Sequence, residues 1–92
     1  MPIGQADIDT AIATARQFGA RRLILFGSAV ESPQTARDLD LACEGVEGWD
    51  IFRLGARLEE ALGIPVDLVA LDPEDPFSQH IASRGRVIYE RH

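Results

Sequence analysis

Two short apolar runs, each carrying acid at its start, flank one amphipathic helical stripe, and this arrangement limits the fold of the chain more than any other feature. The first run is DLDLACE at 38–44, closed by Gly45 and Gly48, and the second is VDLVAL at 66–71, opened by Pro65. Between them Ile51, Leu54, Leu58, Ala61 and Leu62 recur at helical spacing, from Asp50 to a stop at Gly63. A strand–helix–strand unit of this length places its strands parallel, joined by a right-handed crossover. The two strand starts then lie side by side. Asp38 and Asp40 stand near the start of one strand and Asp67 near the start of the other. Topology alone therefore gathers three carboxylates at one edge of the sheet.

The rest of the chain supplies further elements. Ile8, Ala11, Ile12, Ala15 and Phe18 predict a helix over 7–18, with Asp7 as N-cap and Gly19 as stop. The run at 23–26 is a strand ending at Gly27, and 28–37 is a loop with one helical turn after Gly27. A short helix at 77–83 and a last strand at 86–90 complete the order αββαβαβ. The expected fold is α/β (α+β): one domain over 1–92, with a small mixed sheet of three to four strands and helices packed on one face. If the first two strands pair antiparallel, Gly27 and Ser28 reach the same edge as the carboxylates.

Length and charge remove several classes of function. Ninety-two residues hold one core. No apolar run approaches the roughly 18–20 residues of a membrane-spanning helix, and the N-terminus lacks the basic and apolar regions of a secretion signal. One cysteine, Cys43, forms no internal disulfide, which predicts a cytoplasmic protein. With His80 and His92 far from it, zinc-ligand spacing is absent. A net charge of −6 argues against a nucleic-acid coat, and it permits a cation-loaded site or a basic protein partner.

Residues i and i+2 of a strand share one face, about 6.5–7 Å apart. Asp38 and Asp40 are thus expected to project together, with Leu39, Leu41 and Cys43 turned into the core. Carboxylates so placed repel unless they are protonated, paired or bound to metal. A hard cation such as Mg²⁺ takes one or two of them and completes its shell with water and phosphate oxygens. Two such ions can clamp both oxygens of a phosphoryl transfer. Asp67 would add a third ligand or accept a proton from an attacking hydroxyl. Gly27 lets the backbone approach a phosphate, and Ser28 offers a hydroxyl and an N–H. Each piece alone has a plainer reading: Asp-x-Asp often bounds a solvated strand, and Gly-Ser is commonly a turn. The acid between Val66 and Leu68 is what calls for a site.

Taken together, LFGS, a loop, DLDL and a third Asp in PVDLVAL resemble the nucleotidyltransferase domains of the DNA polymerase β superfamily, most closely the minimal nucleotidyltransferases of MNT type. The resemblance spans nearly the whole chain and implies a polymerase β palm-like fold. It implies that Asp38 and Asp40 ligate Mg²⁺ (two ions), that Asp67 completes the triad, and that Gly27 and Ser28 hold the terminal phosphates of ATP or another NTP. The implied reaction transfers a nucleoside monophosphate to an acceptor hydroxyl and releases pyrophosphate. Small members of this group are antitoxins of HEPN-domain toxins, and some adenylylate a toxin tyrosine. The chain departs from the pattern where the family has an Arg directly after Gly-Ser, having Ala29, Val30, Glu31 and Ser32. Nine residues separate Ser28 from Asp38, where ten is usual, and Arg37 precedes the first acid. Arg37 is then the candidate cation from the loop's far end. The alternative is an antitoxin-like module that neutralises a partner by occlusion, without chemistry; a weaker third reading is a cation-binding domain without nucleotide chemistry.

Other residues have structural readings. Trp49 is expected to staple over the core, with an exposed anchor for a partner as the alternative, Cys43 to be an inert core thiol and Tyr89 to pack at the last strand. His80 is read as a surface residue, and Arg84 and Arg86 as solvated, with a grip on a partner or substrate as their alternative. Arg53 and Arg57, one turn apart, could hold an anion, but are expected to pair with Asp50 and Glu60 along the helix.

Overall fold

The computed structural model describes residues 3–32, 37–72 and 74–91, with 28 and 29 described by their backbone. Elements follow in the order α1 (Gln5–Gln17), β1 (Arg22–Phe26), α2 (Ser28–Glu31), β2 (Leu39–Glu44), α3 (Trp49–Leu62), β3 (Val66–Ala70), α4 (Pro76–Arg84) and β4 (Arg86–Glu90). The four strands form one mixed sheet in the order β3-β2-β1-β4. β1 is antiparallel to both β2 and β4, and β2 is parallel to β3, as the strand–helix–strand pattern requires.

Alternation along β1 and β2 builds two layers. Leu23, Leu25, Leu39, Leu41 and Cys43 point to one face, where they join Ala11 and Ala15 of α1 and Leu54 and Leu58 of α3 in the main core. Ile24 and Ala42 point to the opposite face, where Ile81 of α4 covers them. Helices on one face thus describes α1 and α3, and α4 adds a smaller layer behind. Gly85 permits its close approach: a Cβ there would stand 2.5 Å from Ile24 Cγ2 and 2.9 Å from the Leu25 carbonyl oxygen.

The ends of the helices explain where the sequence reading shifts. α1 begins two residues before the expected start, with Gly4 as N-cap. Asp7 acts inside the first turn, where its carboxylate accepts from the Gly4 N–H at 3.0 Å. Gly19 does follow the helix, at φ 83°. α3 ends at Gly63, whose left-handed backbone lets its N–H donate to the Glu59 carbonyl. α4 starts at Asp75, which accepts from the Ser78 N–H, with Pro76 in the first turn. The helical turn after Gly27 is present as α2, and residues 33–36 of the expected loop lie outside the described residues.

Trp49 does not staple the core. It is 82% exposed, and its ring tilts against that of Phe52, itself 70% exposed, with centroids 5.8 Å apart. The inward stripe of α3 is set by Leu54 and Leu58, and Trp49 lies about 140° round the helix from Leu54. Ala61, expected in the stripe, is exposed as well. Arg53 pairs with Asp50 at 3.1 Å as expected, whereas Arg57 makes no ion pair among the described residues. Tyr89 packs on the core, with the Arg16 guanidinium 5.8 Å from its ring centroid. No helix among the described residues is long and apolar enough to cross a membrane.

Candidate active site

The parallel register sets the site. β2 starts at Leu39, whose N–H donates to the Pro65 carbonyl at 3.0 Å, and Leu39 stands opposite Val66. One step further, Asp40 stands directly opposite Asp67. The Glu59 carboxylate accepts from the Val66 N–H at 3.0 Å and so ties the end of α3 to the start of β3. The two acids therefore meet because the crossover returns the chain to the same end of the sheet, in register.

β1 brings the third participant. Its last residue, Phe26, pairs with Asp40, so the following Gly27 turns over the Asp40 carboxylate. Gly27 has φ 72°, a left-handed conformation that disfavours any Cβ. A Cβ built there would fall on Asp40 Oδ2 and stand 3.1 Å from its Cγ. The Gly27 carbonyl accepts from the N–H groups of Val30 and Glu31, each at 3.1 Å, which opens α2. Antiparallel pairing of the first two strands thus carries Gly27 to the acids.

Asp38 is a partial correction. It lies one residue before β2 and is exposed, because the ladder begins at the Leu39 N–H. The same-face argument for Asp38 and Asp40 therefore applies to a residue just outside the pleat, and the in-sheet neighbour of Asp40 is Asp67. Arg37 is also exposed, and the Ser28 hydroxyl lies outside the described side chains.

Electrostatics mark Asp40 as the focus. Burial raises its pKa, and the negative charges of Asp67 and Asp38 raise it further. No basic side chain among the described residues pairs with any of the three acids. All-oxygen donors with uncompensated charge fit a hard divalent cation. Among the described residues no three His, Cys, Asp or Glu side chains stand grouped to hold one ion. Two carboxylates completed by phosphate oxygens and water are an ordinary Mg²⁺ arrangement, and Asp40 with Asp67 offers such a pair. Cys43 is an inert thiol, as expected: it is fully buried, and burial with the Glu44 charge pushes its pKa up to about 11.

A cavity of about 310 Å³ opens beside Gly27, between the end of β1, α2 and α4, with Phe77, His80 and Arg84 on its α4 side. His80 and Arg84 are exposed, as expected, and both line this cavity. Their recurrence at 77, 80 and 84, flanking the buried Ile81, was the signal that one face of α4 overlooks a shared space.

A family model described as polymerase beta, nucleotidyltransferase, matches residues 13–92. The chain belongs to this family. Solved structures agree on the fold. A toxin–antitoxin complex with AMP-PNP superposes with TM-score 0.77 at 23% identity, covering 92% of this chain and 74% of that one. A tri-AMPylated Shewanella oneidensis HEPN toxin in complex with its MNT antitoxin gives 0.73 at 22%, covering 94% and 71%. A putative minimal nucleotidyltransferase gives 0.69 at 29%, covering 88% of each chain. No protein of curated function matches significantly.

Proposed function

We propose that this family member is a Mg²⁺-dependent adenylyltransferase that moves AMP from ATP to a hydroxyl of a partner protein, acting in the cytoplasm as the antitoxin of a HEPN-type toxin. The observation that carries this reading is the register of Asp40 against Asp67 with Gly27 folded over the Asp40 carboxylate. Support for the partner comes from the relatives: one is a toxin–antitoxin complex with AMP-PNP, and another pairs an MNT antitoxin with an AMPylated HEPN toxin.

In this reading Asp40 and Asp67 would hold Mg²⁺ as a pair completed by phosphate oxygens and water, and Asp38, just before β2, would supply a further carboxylate to a second ion. The bound ions would neutralise charge on the phosphates and on the attacking oxygen. Gly27 and Ser28 receive the terminal phosphates, where the missing side chain at Gly27 allows close approach, and Arg37 lies within the same edge as a cation. The acceptor oxygen attacks the α-phosphorus, the bond to the bridging oxygen breaks, and pyrophosphate leaves. Asp67, the more exposed of the two in-register acids, accepts the hydroxyl proton. A tyrosine of the toxin is the proposed acceptor, because so small a domain cannot enclose a separate large substrate.

A second reading is neutralisation by occlusion alone. The run Ala29–Ser32 without a basic residue and the exposed Trp49–Phe52 pair favour it. The test is incubation with α-labelled ATP, Mg²⁺ and the protein encoded beside it. Label on the partner that disappears in Asp40→Asn supports transfer. Full neutralisation by that variant, with no label moved by the wild type, supports occlusion.

A further inference from the structure

We propose that Arg84 of α4 is the phosphate-binding residue of this site, gripping the polyphosphate arm of the nucleotide in the cavity beside Gly27; this rests on the nucleotide-transfer reading above.

Charge at the site calls for a cation that the loop after Gly27 does not supply. The family pattern's Arg after Gly-Ser is Ala29 in this chain, and Glu31 adds a negative charge in the same turn. A triphosphate approaching Gly27 would meet Asp38, Asp40, Asp67 and Glu31, so a fixed cation is required near the phosphates. All nine basic residues are arginines, and their positions narrow the choice. Arg21 and Arg22 pair with Glu44, Arg53 pairs with Asp50, and Arg16 lies on the Tyr89 ring. Arg57 sits on α3, which covers the opposite face of the sheet, and Arg86 lines a separate cavity with Ile3 and Ile8. Arg91 stands beside Arg21 and Glu90, at the far end of β1 from Gly27. Arg37 and Arg84 are both exposed, and Arg37 does not line the cavity at Gly27. Arg84 does.

Geometry supports the same residue. Arg84 and Gly27 share one cavity, and Gly27 lies against the Asp40 carboxylate. No carboxylate among the described residues lies within ion-pair distance of Arg84. The next residue, Gly85, seats the end of α4 on β1 so closely that no side chain fits, its Cβ position lying against Ile24 and the Leu25 carbonyl. Phe26 and Phe77 give the cavity apolar walls, His80 adds a second nitrogen donor, and Glu31 lines the α2 side, so that a phosphate there depends on Arg84 to offset its charge. At about 310 Å³ the space stands at the lower end of the roughly 300–1,000 Å³ of small-molecule sites. That suits one arm of a nucleotide better than the whole of it. A planar guanidinium can hold two phosphate oxygens at once, which a solvated role would not use.

The test is isothermal titration of the full chain with ATP and with AMP, each in saturating Mg²⁺ and without acceptor. Wild type is compared with Arg84→Gln, Arg84→Lys and the surface control Arg57→Gln, each checked for its melting temperature. The expected result is a tenfold or greater loss of ATP affinity in Arg84→Gln, less than twofold change for AMP, partial recovery in Arg84→Lys, and no change in Arg57→Gln. ATP binding by Arg84→Gln within twofold of wild type overturns the assignment, as does an equal loss for ATP and AMP. If the wild type binds no ATP with Mg²⁺, the nucleotide-transfer reading itself falls, and this assignment with it.

Discussion

Replacing Asp40 by Asn is expected to make the metal-free protein more stable while abolishing transfer. Adjacent strands lie about 4.8 Å apart, so carboxylates in register, as Asp40 and Asp67 are, stand at roughly 5–6 Å. A pair of unit charges at that separation costs about 0.8 kcal/mol in water and about 3 kcal/mol at an effective dielectric constant of 20. Asp40 is half-buried and Asp67 exposed, so screening brings the expected cost to the low end, about 1 kcal/mol. The sign follows from protonation. Burial and like charge raise the pKa of folded Asp40 above its ordinary 3.8, so the fold favours the protonated acid. That penalty is absent below the unfolded value, grows as pH rises through the interval up to the folded value, and is constant above it. Asn carries no such penalty. The melting temperature of Asp40→Asn in EDTA should therefore exceed that of wild type by about 4–8 °C at pH 7, and the difference should vanish below about pH 3.8. Mg²⁺ at ten times its dissociation constant should stabilise wild type by about 1.4 kcal/mol and the variant much less. Calorimetry with and without EDTA at both pH values decides the matter. An Asp40→Asn protein less stable than wild type in EDTA at pH 7 refutes the reasoning, because the carboxylate would then be contributing to the fold.

Gly27→Ala should reduce label transfer at least a hundredfold, since the new methyl collides with the Asp40 carboxylate and φ 72° is unfavourable to it; turnover assays on protein of verified circular dichroism would show it. Gly85→Ala should destabilise by about 1–3 kcal/mol, read by urea denaturation, because its Cβ would press on Ile24 and on the carbonyls of Ile81 and Leu25. Trp49→Ser should change stability by no more than about 0.5 kcal/mol, since the side chain is 82% exposed; a buried staple would cost several times more in the same denaturation experiment. Cys43 should resist a thiol reagent at pH 8 in the folded protein and react at once in denaturant, because its pKa is about 11 and its side chain is buried.

The sheet was legible in the sequence because each strand announces itself twice, by apolar content and by a glycine or proline at one of its ends. Gly45 and Pro65 bracket the crossover, and the stripe at Ile51, Leu54 and Leu58 leaves little freedom in how it packs. The meeting of Asp40 with Asp67 was legible for the same reason: parallel strands that start together bring equivalent positions into register. Asp38 was harder, because alternation holds only inside the pleat, and nothing in DLDL says whether the ladder begins at the first or the second residue. Trp49 was misread because an aromatic before a helix suggests a staple, whereas its angle from Leu54 turns it outward. The cavity at Gly27 was the least visible feature. It joins residues 26–31 to 77–84 across a fold in which α4 packs behind the sheet, and local sequence carries no mark of that contact. Arg84 reads in sequence as solvated or as a grip on a partner or substrate; it is exposed, and its place on the cavity at Gly27 favours the second role.

The account rests on acids from β2 and β3 sharing a divalent cation with the phosphates of a nucleotide. The most direct measurement is anomalous diffraction from crystals soaked with Mn²⁺ and a non-hydrolysable ATP analogue. The account predicts a Mn²⁺ peak between the Asp40 and Asp67 carboxylates, with a phosphate oxygen in its shell and the α-phosphate within reach of Gly27. Nucleotide bound with no peak at that edge, or Mn²⁺ held elsewhere while both carboxylates contact only water, would contradict it.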